Sequence, residues 1–271
     1  MSFTKRLGGF GGVIFRSRGA LIIDVPSMGL TNTPANSGRG YEGQALQTFL
    51  TSNYNYNVNT PGITINITIP ADYVLGGYAP SALSALNLTG FTTLDTINIY
   101  NYGKIIGSGG AGGAGGTGNA SGSTGGNATS GILATSCLAP INLYNYGEIR
   151  GGGTGGGGGG GGTSSATGGA GGLGAGLNIN SAGGLNQTYT LYSTPIGGSA
   201  GASPAGAGGS GGAYESAGVS GDNGSFRSSG KFPSTTATSG GPAGSGLGYA
   251  INGASRVTVV ANTGTIGTTT G

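Results

Sequence analysis

Histidine and tryptophan are absent from the 271 residues, cysteine occurs once, at Cys137, and only 6% of the chain is charged. Without histidine there is no Ser-His-Asp arrangement and no histidine metal site, and one cysteine leaves no thiolate zinc cluster. A single cysteine also forbids an intrachain disulfide, so this is not a small disulfide-stapled scaffold, and its apolar surroundings mark Cys137 as a buried packing residue. The acidic residues Asp24, Glu42, Asp72, Asp95, Glu148, Glu215 and Asp222 form no motif. Even Glu215 and Asp222 read as solvated loop charges rather than as the paired carboxylates of glycoside cleavage. The expectation is a protein that is not an enzyme and that needs no cofactor and no metal.

Charge is scarce where a soluble globular domain carries about a quarter charged residues, so the fold must rest largely on backbone contacts. The net charge of +3 misleads, because Lys5, Arg6, Arg16, Arg18 and Arg39 crowd the first 39 residues and the rest are scattered. An electrostatic footprint for nucleic acid needs clustering, so none is expected. No apolar run is long enough for a membrane-spanning helix. Arg16, Arg18 and several glycines interrupt the apolar stretches of the N-terminal region, so no export signal is expected there.

What is abundant is glycine, 67 residues of it. Residues 1–50 are the least repetitive part and are expected to form an attachment segment, followed by a β-rich region over 51–106 and a glycine-rich region over 107–271. In GITINITIP, Ile63, Ile65, Ile67 and Ile69 alternate with Thr64, Asn66 and Thr68, the pattern of a half-buried strand that Pro70 ends. A repeat follows. INIYNYGKIIG recurs as INLYNYGEIRG and more faintly as VTVVANTGTIG, placing Asn101, Asn145 and Asn262 two residues before a glycine and four before an isoleucine. Asn followed by Gly predicts a turn or bulge at positive φ. The tyrosines of the repeat, Tyr100, Tyr102, Tyr144 and Tyr146, read as structural, and residues 177–198 hold a degenerate fourth unit.

Glycine tracts follow these strands at 107–118, 151–162, 168–176, 197–212 and 240–248, and in the second only Thr154 breaks the run. Such tracts are either flexible linkers or ordered polyglycine II, extended helices with about three residues per turn whose N–H and C=O groups point to neighbouring helices. The triplet spacing of GGAGGAGGTG sends each small side chain to one face and favours order. The fold class expected is therefore mostly β and irregular, with an N-terminal β-rich attachment region, short strand units, a polyglycine II bundle and almost no α-helix.

Between the tracts the composition changes. Residues 213–239 hold Tyr214, Glu215, Asp222, Phe226, Arg227, Lys231 and Phe232, and residues 185–194 hold Tyr189 and Tyr192. Tyr and Arg among small adaptable residues give large contact area at modest entropic cost, a composition suited to recognition loops. A third segment, 117–130, is small and polar and offers shape rather than anchors.

With INIYNYGKIIG and INLYNYGEIRG leading into GSGGAGGAGG and GGGTGGGGGGGG, the chain resembles the glycine-rich adhesins at the tips of phage long tail fibres, notably of T-even-like phages. The resemblance covers residues 60–271 in pattern. It implies an N-terminal region attached to a phage tail or fibre protein and variable segments that recognise a bacterial outer-membrane protein or surface glycan. It implies a place in the virion, in the tail or tail fibre, and leaves monomer and trimer both open. A structural virion protein with the same bundle and inert loops is the alternative.

Overall fold

The computed structural model describes residues 20–24, 46–54, 56, 62–77, 83–162, 166–179, 189–227 and 235–271. Strand β1 (Ala20–Asp24) and helix α1 (Leu46–Tyr54) come first. The chain then winds through four coils of three strands each. Coil one is β2 (Thr64–Ile69), β3 (Val74–Gly76) and β4 (Leu86–Asn87), and coil two is β5 (Thr96–Asn101), β6 (Lys104–Ile106) and β7 (Ile132–Leu133). Coil three starts with β8 (Ile141–Asn145) and β9 (Glu148–Arg150). A hundred residues intervene, with hairpin strands β10 (Gly176–Ile179), β11 (Tyr189–Tyr192), β12 (Gly224–Arg227) and β13 (Thr235–Thr238), before β14 (Ile251–Asn252) closes the coil. Coil four is β15 (Val257–Asn262), β16 (Thr265–Ile266) and β17 (Thr269–Thr270).

Each coil adds one strand to each of three parallel sheets: β1-β2-β5-β8-β15, β3-β6-β9-β16 and β4-β7-β14-β17. This is a three-sided parallel β-helix. The chain is thus β-rich with a single α-helix among its described residues, as its composition implies. Strands on both sides of residue 106 share every one of these sheets. The inward positions stack isoleucine on isoleucine: Ile65, Ile97 and Ile141 stand in register, as do Ile67, Ile99 and Leu143, and all are buried. Leu46, Phe49 and Leu50 of α1 join the same core. Tyr56 donates its hydroxyl to Asp95 Oδ2 at 2.7 Å, which pins the segment after α1 to the turn before β5. Cys137 is fully buried in this core, and burial pushes its thiol pKa up.

Both long insertions leave from the second sheet, after β6 and β9, and return to the third, at β7 and β14. They therefore project together from one corner, opposite the first sheet. Their tracts are ordered by hydrogen bonds with a period of three. In tract 151–162 the N–H groups of Gly153, Gly156 and Gly159 donate to Ala175, Gly172 and Gly169, those of Thr154, Gly157 and Gly160 to Ser216, Val219 and Asp222, and those of Gly155, Gly158 and Gly161 to Gly126, Ser123 and Ala120, all at 2.8–3.1 Å. Its carbonyls accept from three further tracts: Gly156 from Gly113, Gly157 from Gly209, and Gly158 from Gly241. A segment surrounded by six others has no direction left for a side chain. A Cβ on Gly157 would overlap the carbonyl of Gly241, and every residue of the tract is buried.

Outer tracts keep the same period but face solvent on one side. Ala111, Ala114 and Thr117 are exposed while Gly110, Gly113 and Gly116 are buried. Where an outward N–H lacks a neighbouring carbonyl, a side-chain oxygen replaces it: Ala114 donates to Ser123 Oγ at 2.6 Å, Ala170 to Ser199 Oγ at 2.8 Å and Gly246 to Asn127 Oδ1 at 2.9 Å. Ser123, Ser199 and Asn127 thus stand in for missing carbonyls on the exposed side of the lattice.

Two expectations are corrected. The asparagines and glycines of the repeat do not make a positive-φ turn: the glycines with positive φ among the described residues are Gly90, Gly118, Gly176 and Gly253. Instead Asn101 Nδ2 donates to Asn145 Oδ1 at 2.7 Å, and Asn145 Nδ2 to Asn262 Oδ1 at 2.9 Å, a ladder running along the β-helix. Gly103, Gly147 and Gly264 are needed because coils approach closely there; a Cβ on Gly147 would overlap the Gly103 carbonyl. The degenerate fourth unit is also not a coil. Gly176–Ile179 pairs antiparallel with Tyr189–Tyr192 as a hairpin.

Candidate functional site at the far end of the bundle

The tracts alternate in direction, so their connections fall at two ends. Beside the β-helix lie the β10–β11 hairpin and the turn 213–216. At the far end lie the turns 117–120 and 202–205 and the β12–β13 hairpin. The first far-end turn closes with Ala120 N–H on Thr117 O at 3.1 Å, and the second with Ala205 N–H on Ala202 O at 2.6 Å.

Hydrogen bonds join the far-end connections into one face. Ser225 of the hairpin donates its N–H to Pro204 O at 3.0 Å. Gly161 donates to Ala120 O and accepts the Thr238 hydroxyl, so this single glycine ties the first turn to the hairpin. Gly240 N–H donates to Asn223 Oδ1 at 2.9 Å where the chain leaves the hairpin. Asn119, Ser203, Pro204, Asp222, Asn223 and Ser225 are exposed on this face. Their backbone is held by the lattice beneath, so they combine short polar side chains with fixed positions, which suits shape-selective contact with a large partner.

The structure divides the residues singled out by composition. Asp222 stands exposed at the far end, and Phe226 and Arg227 lie in β12 of the far-end hairpin. Lys231 and Phe232 lie outside the described residues. Tyr189 and Tyr192 sit in β11 of the hairpin beside the β-helix, where its partner strand begins with a bridge from Leu177 to Ser108. Tyr214 and Glu215 are also at that end. Glu215, at φ 58°, accepts from Gly151 N–H at 3.1 Å and from Thr268 N–H at 2.6 Å. Its carboxylate therefore ties the central glycine tract to coil four. Tyr214 is half-buried beside it; burial, and then the negative Glu148, push its pKa up to about 12.

Aromatic and charged composition thus drew attention to both ends of the bundle, while the small turn 202–205 escaped it. Its signal was Pro204, which interrupts the run of small residues inside tract 197–212. In segment 117–130 only the first residues form a turn. The remainder is a lattice tract that hydrogen-bonds residues 108–117 on one side and 151–162 on another.

The family model of the phage tail fibre adhesin Gp38 matches residues 16–271. Among solved structures, the chain is similar to the gp37-gp38 adhesin tip complex of the bacteriophage S16 long tail fibre, with 21% identity, coverage of 83% of this chain and 77% of that chain, and a TM-score of 0.38. No curated protein matches.

Proposed function

The chain belongs to the phage tail fibre adhesin Gp38 family, and from that premise we propose that the far end of its glycine bundle is the face that touches the host receptor. As a member of that family it is a virion protein of the tail fibre that recognises the host surface. The observation carrying the finer reading is the convergence of turns 117–120 and 202–205 and hairpin β12–β13 on one exposed face, at the end of the bundle away from the β-helix. Asp222, Phe226 and Arg227 are assigned to this face, Lys231 and Phe232 remain receptor-contact candidates on composition alone, and a bacterial outer-membrane protein or surface glycan is the class of receptor. Tyr214 and Glu215 are assigned to holding the bundle on its base.

The bundle is of the polyglycine II type in this reading, supported by the period of three in its hydrogen bonds and by the six-neighbour surroundings of residues 151–162. Its role is presentation rather than chemistry, so the protein acts without catalysis. A tail fibre protein carries it, as gp37 accompanies gp38 in the S16 complex, with residues 1–50 contributing to attachment.

The test is saturable binding of purified protein to host cells, comparing wild type with Asn119→Arg and Ser203→Arg. A large charged side chain in either exposed turn should weaken binding about tenfold or more, the cost of one unpaired charge held in a desolvated contact. Unchanged binding by both would move the receptor contact away from these turns, and no saturable binding by wild type would leave a structural virion protein with inert turns as the better reading.

A further inference from the structure

The outward side of the first sheet is aromatic and rich in amides. The outward positions of its three central strands, β2, β5 and β8, hold only threonine, asparagine and tyrosine. Asn98 Nδ2 donates to Asn66 Oδ1 at 2.7 Å and Asn142 Nδ2 to Asn98 Oδ1 at 2.9 Å, an outer ladder in which each donating nitrogen spends one of its two hydrogens. Beside it Tyr100 stacks on Tyr144 with ring centroids 4.7 Å apart, and Tyr102 on Tyr146 at 5.1 Å. Burial first, and then the neighbouring Tyr144, Tyr102 and Tyr146, push the Tyr100 phenol pKa up, so the four rings form one cluster. Both stacks stop at β5. Thr68 stands in register with Tyr100, and Pro70 follows Ile69, the register partner of Asn101, so threonine and proline lie where the next ring of each stack would be. One face of Tyr100 and one of Tyr102 therefore look over a floor of short side chains, and Tyr102 is 47% exposed. Bracing of the coils accounts for the stacked faces and leaves the uncovered ones without a role.

We infer that this ledge binds a neutral polysaccharide chain, the apolar faces of its sugar rings lying on Tyr100 and Tyr102 and its hydroxyls bonding to the remaining amide hydrogen of Asn98 and to the Thr68 hydroxyl. β2, β5 and β8 each have a strand on both sides, so no partner strand can add here, and recognition falls to side chains. Asp24 of β1 is in register with Thr68, and an acid beside the ledge disfavours an anionic ligand. The bundle leaves from the opposite corner and does not cover this face. The source of the polysaccharide rests on the adhesin reading. With the far end on its receptor, tract 151–162 at about 3.1 Å per residue holds the β-helix about 35 Å further from the membrane. At that height the host presents the polysaccharide side chains of its lipopolysaccharide, and the ledge is a second, lateral contact with them.

Full-length protein is titrated calorimetrically with the neutral, lipid-free polysaccharide released from host lipopolysaccharide. Wild type should bind it. Tyr102→Thr removes a ring and Thr68→Arg lays a guanidinium across the open face of Tyr100; each should weaken binding about tenfold or more, while Tyr102→Phe keeps the ring and should bind as wild type does. Thr68→Arg leaves both stacks intact, so it decides the matter if Tyr102→Thr lowers the melting temperature. Host-cell binding keeps the two readings apart: on cells lacking the polysaccharide the ledge variants should match wild type and Asn119→Arg should remain weakened. No saturable binding of wild type to those cells would count against the adhesin reading, and the titration would still decide the ledge. A wild type that does not bind the polysaccharide would overturn the inference. So would wild-type affinity in both Tyr102→Thr and Thr68→Arg, or loss of polysaccharide binding in Asn119→Arg, which would place the sugar at the far end.

Discussion

Asn145 lies between two other amides inside the β-helix, donating to Asn262 and accepting from Asn101. The ladder stops on the coil-one side because Ile69, not an amide, stands in register with Asn101, and Asn101 Oδ1 is left without a partner. Replacing Asn145 by Leu would take from buried Asn101 its 2.7 Å acceptor, leaving Asn101 Nδ2 only Glu148 O at 3.3 Å, and a loss of about 2–3 kcal/mol is expected in urea unfolding. This ladder was visible in the sequence as a spacing but not as a contact. Asn followed by Gly is a turn signal in an isolated strand, and only stacking of whole coils gives the asparagines each other as partners. Tyr214 makes a second residue-scale prediction. Its pKa is raised from 10 to about 12 in the folded chain, so the folded state holds the phenolic proton more tightly. The stability from that neutral phenol is complete below pH 10 and is lost as pH rises toward about 12. Tyr214→Phe should flatten this alkaline fall in a melting series, and an unchanged pH profile would show that the phenol is not buried at the bundle base.

At the scale of elements, the glycine tracts were the most legible feature. Triplet spacing in GGAGGAGGTG foretells which residues face outward, and Ala111, Ala114 and Thr117 do. The unbroken run 155–162 marks the tract with neighbours on all sides. Substitution should therefore depend on position rather than on the residue type replaced. Gly157→Ala forces a methyl into the Gly241 carbonyl and should destabilise by about 3 kcal/mol. Gly197→Ala meets nothing within 4 Å and should change the unfolding free energy by no more than about 0.5 kcal/mol. Equal effects would mean that the tracts are not packed as a lattice. The coils, in contrast, were only half legible. Their first strands begin at Thr64, Thr96, Ile141 and Val257, intervals too unequal to reveal a constant period, because the insertions that build the bundle interrupt coils two and three. Two-residue strands such as Leu86–Asn87 and Ile251–Asn252 carry no periodicity of their own and exist only through their neighbours.

For the whole molecule, a β-helix and a backbone lattice divide the labour. Side chains pack the first, hydrogen bonds between glycine tracts build the second, and Glu215 joins them through Gly151 and Thr268. The lattice leaves its far-end connections free to vary without repacking a core, because their anchors are backbone groups. Composition pointed only in part to the proposed receptor face, since Tyr and Arg suit both receptor binding and bracing of a bundle, and Glu215 is held by Gly151 and Thr268 at the bundle base. The most direct measurement of the central claim is therefore confined to the far end. In one variant, residues 226–236 are replaced by Gly-Gly, keeping Ser225, Thr238 and every lattice tract, and its saturable binding to host cells is compared with that of wild type. Loss of binding at an unchanged melting temperature is the expected result; equal binding by both proteins would contradict a receptor face that depends on this hairpin.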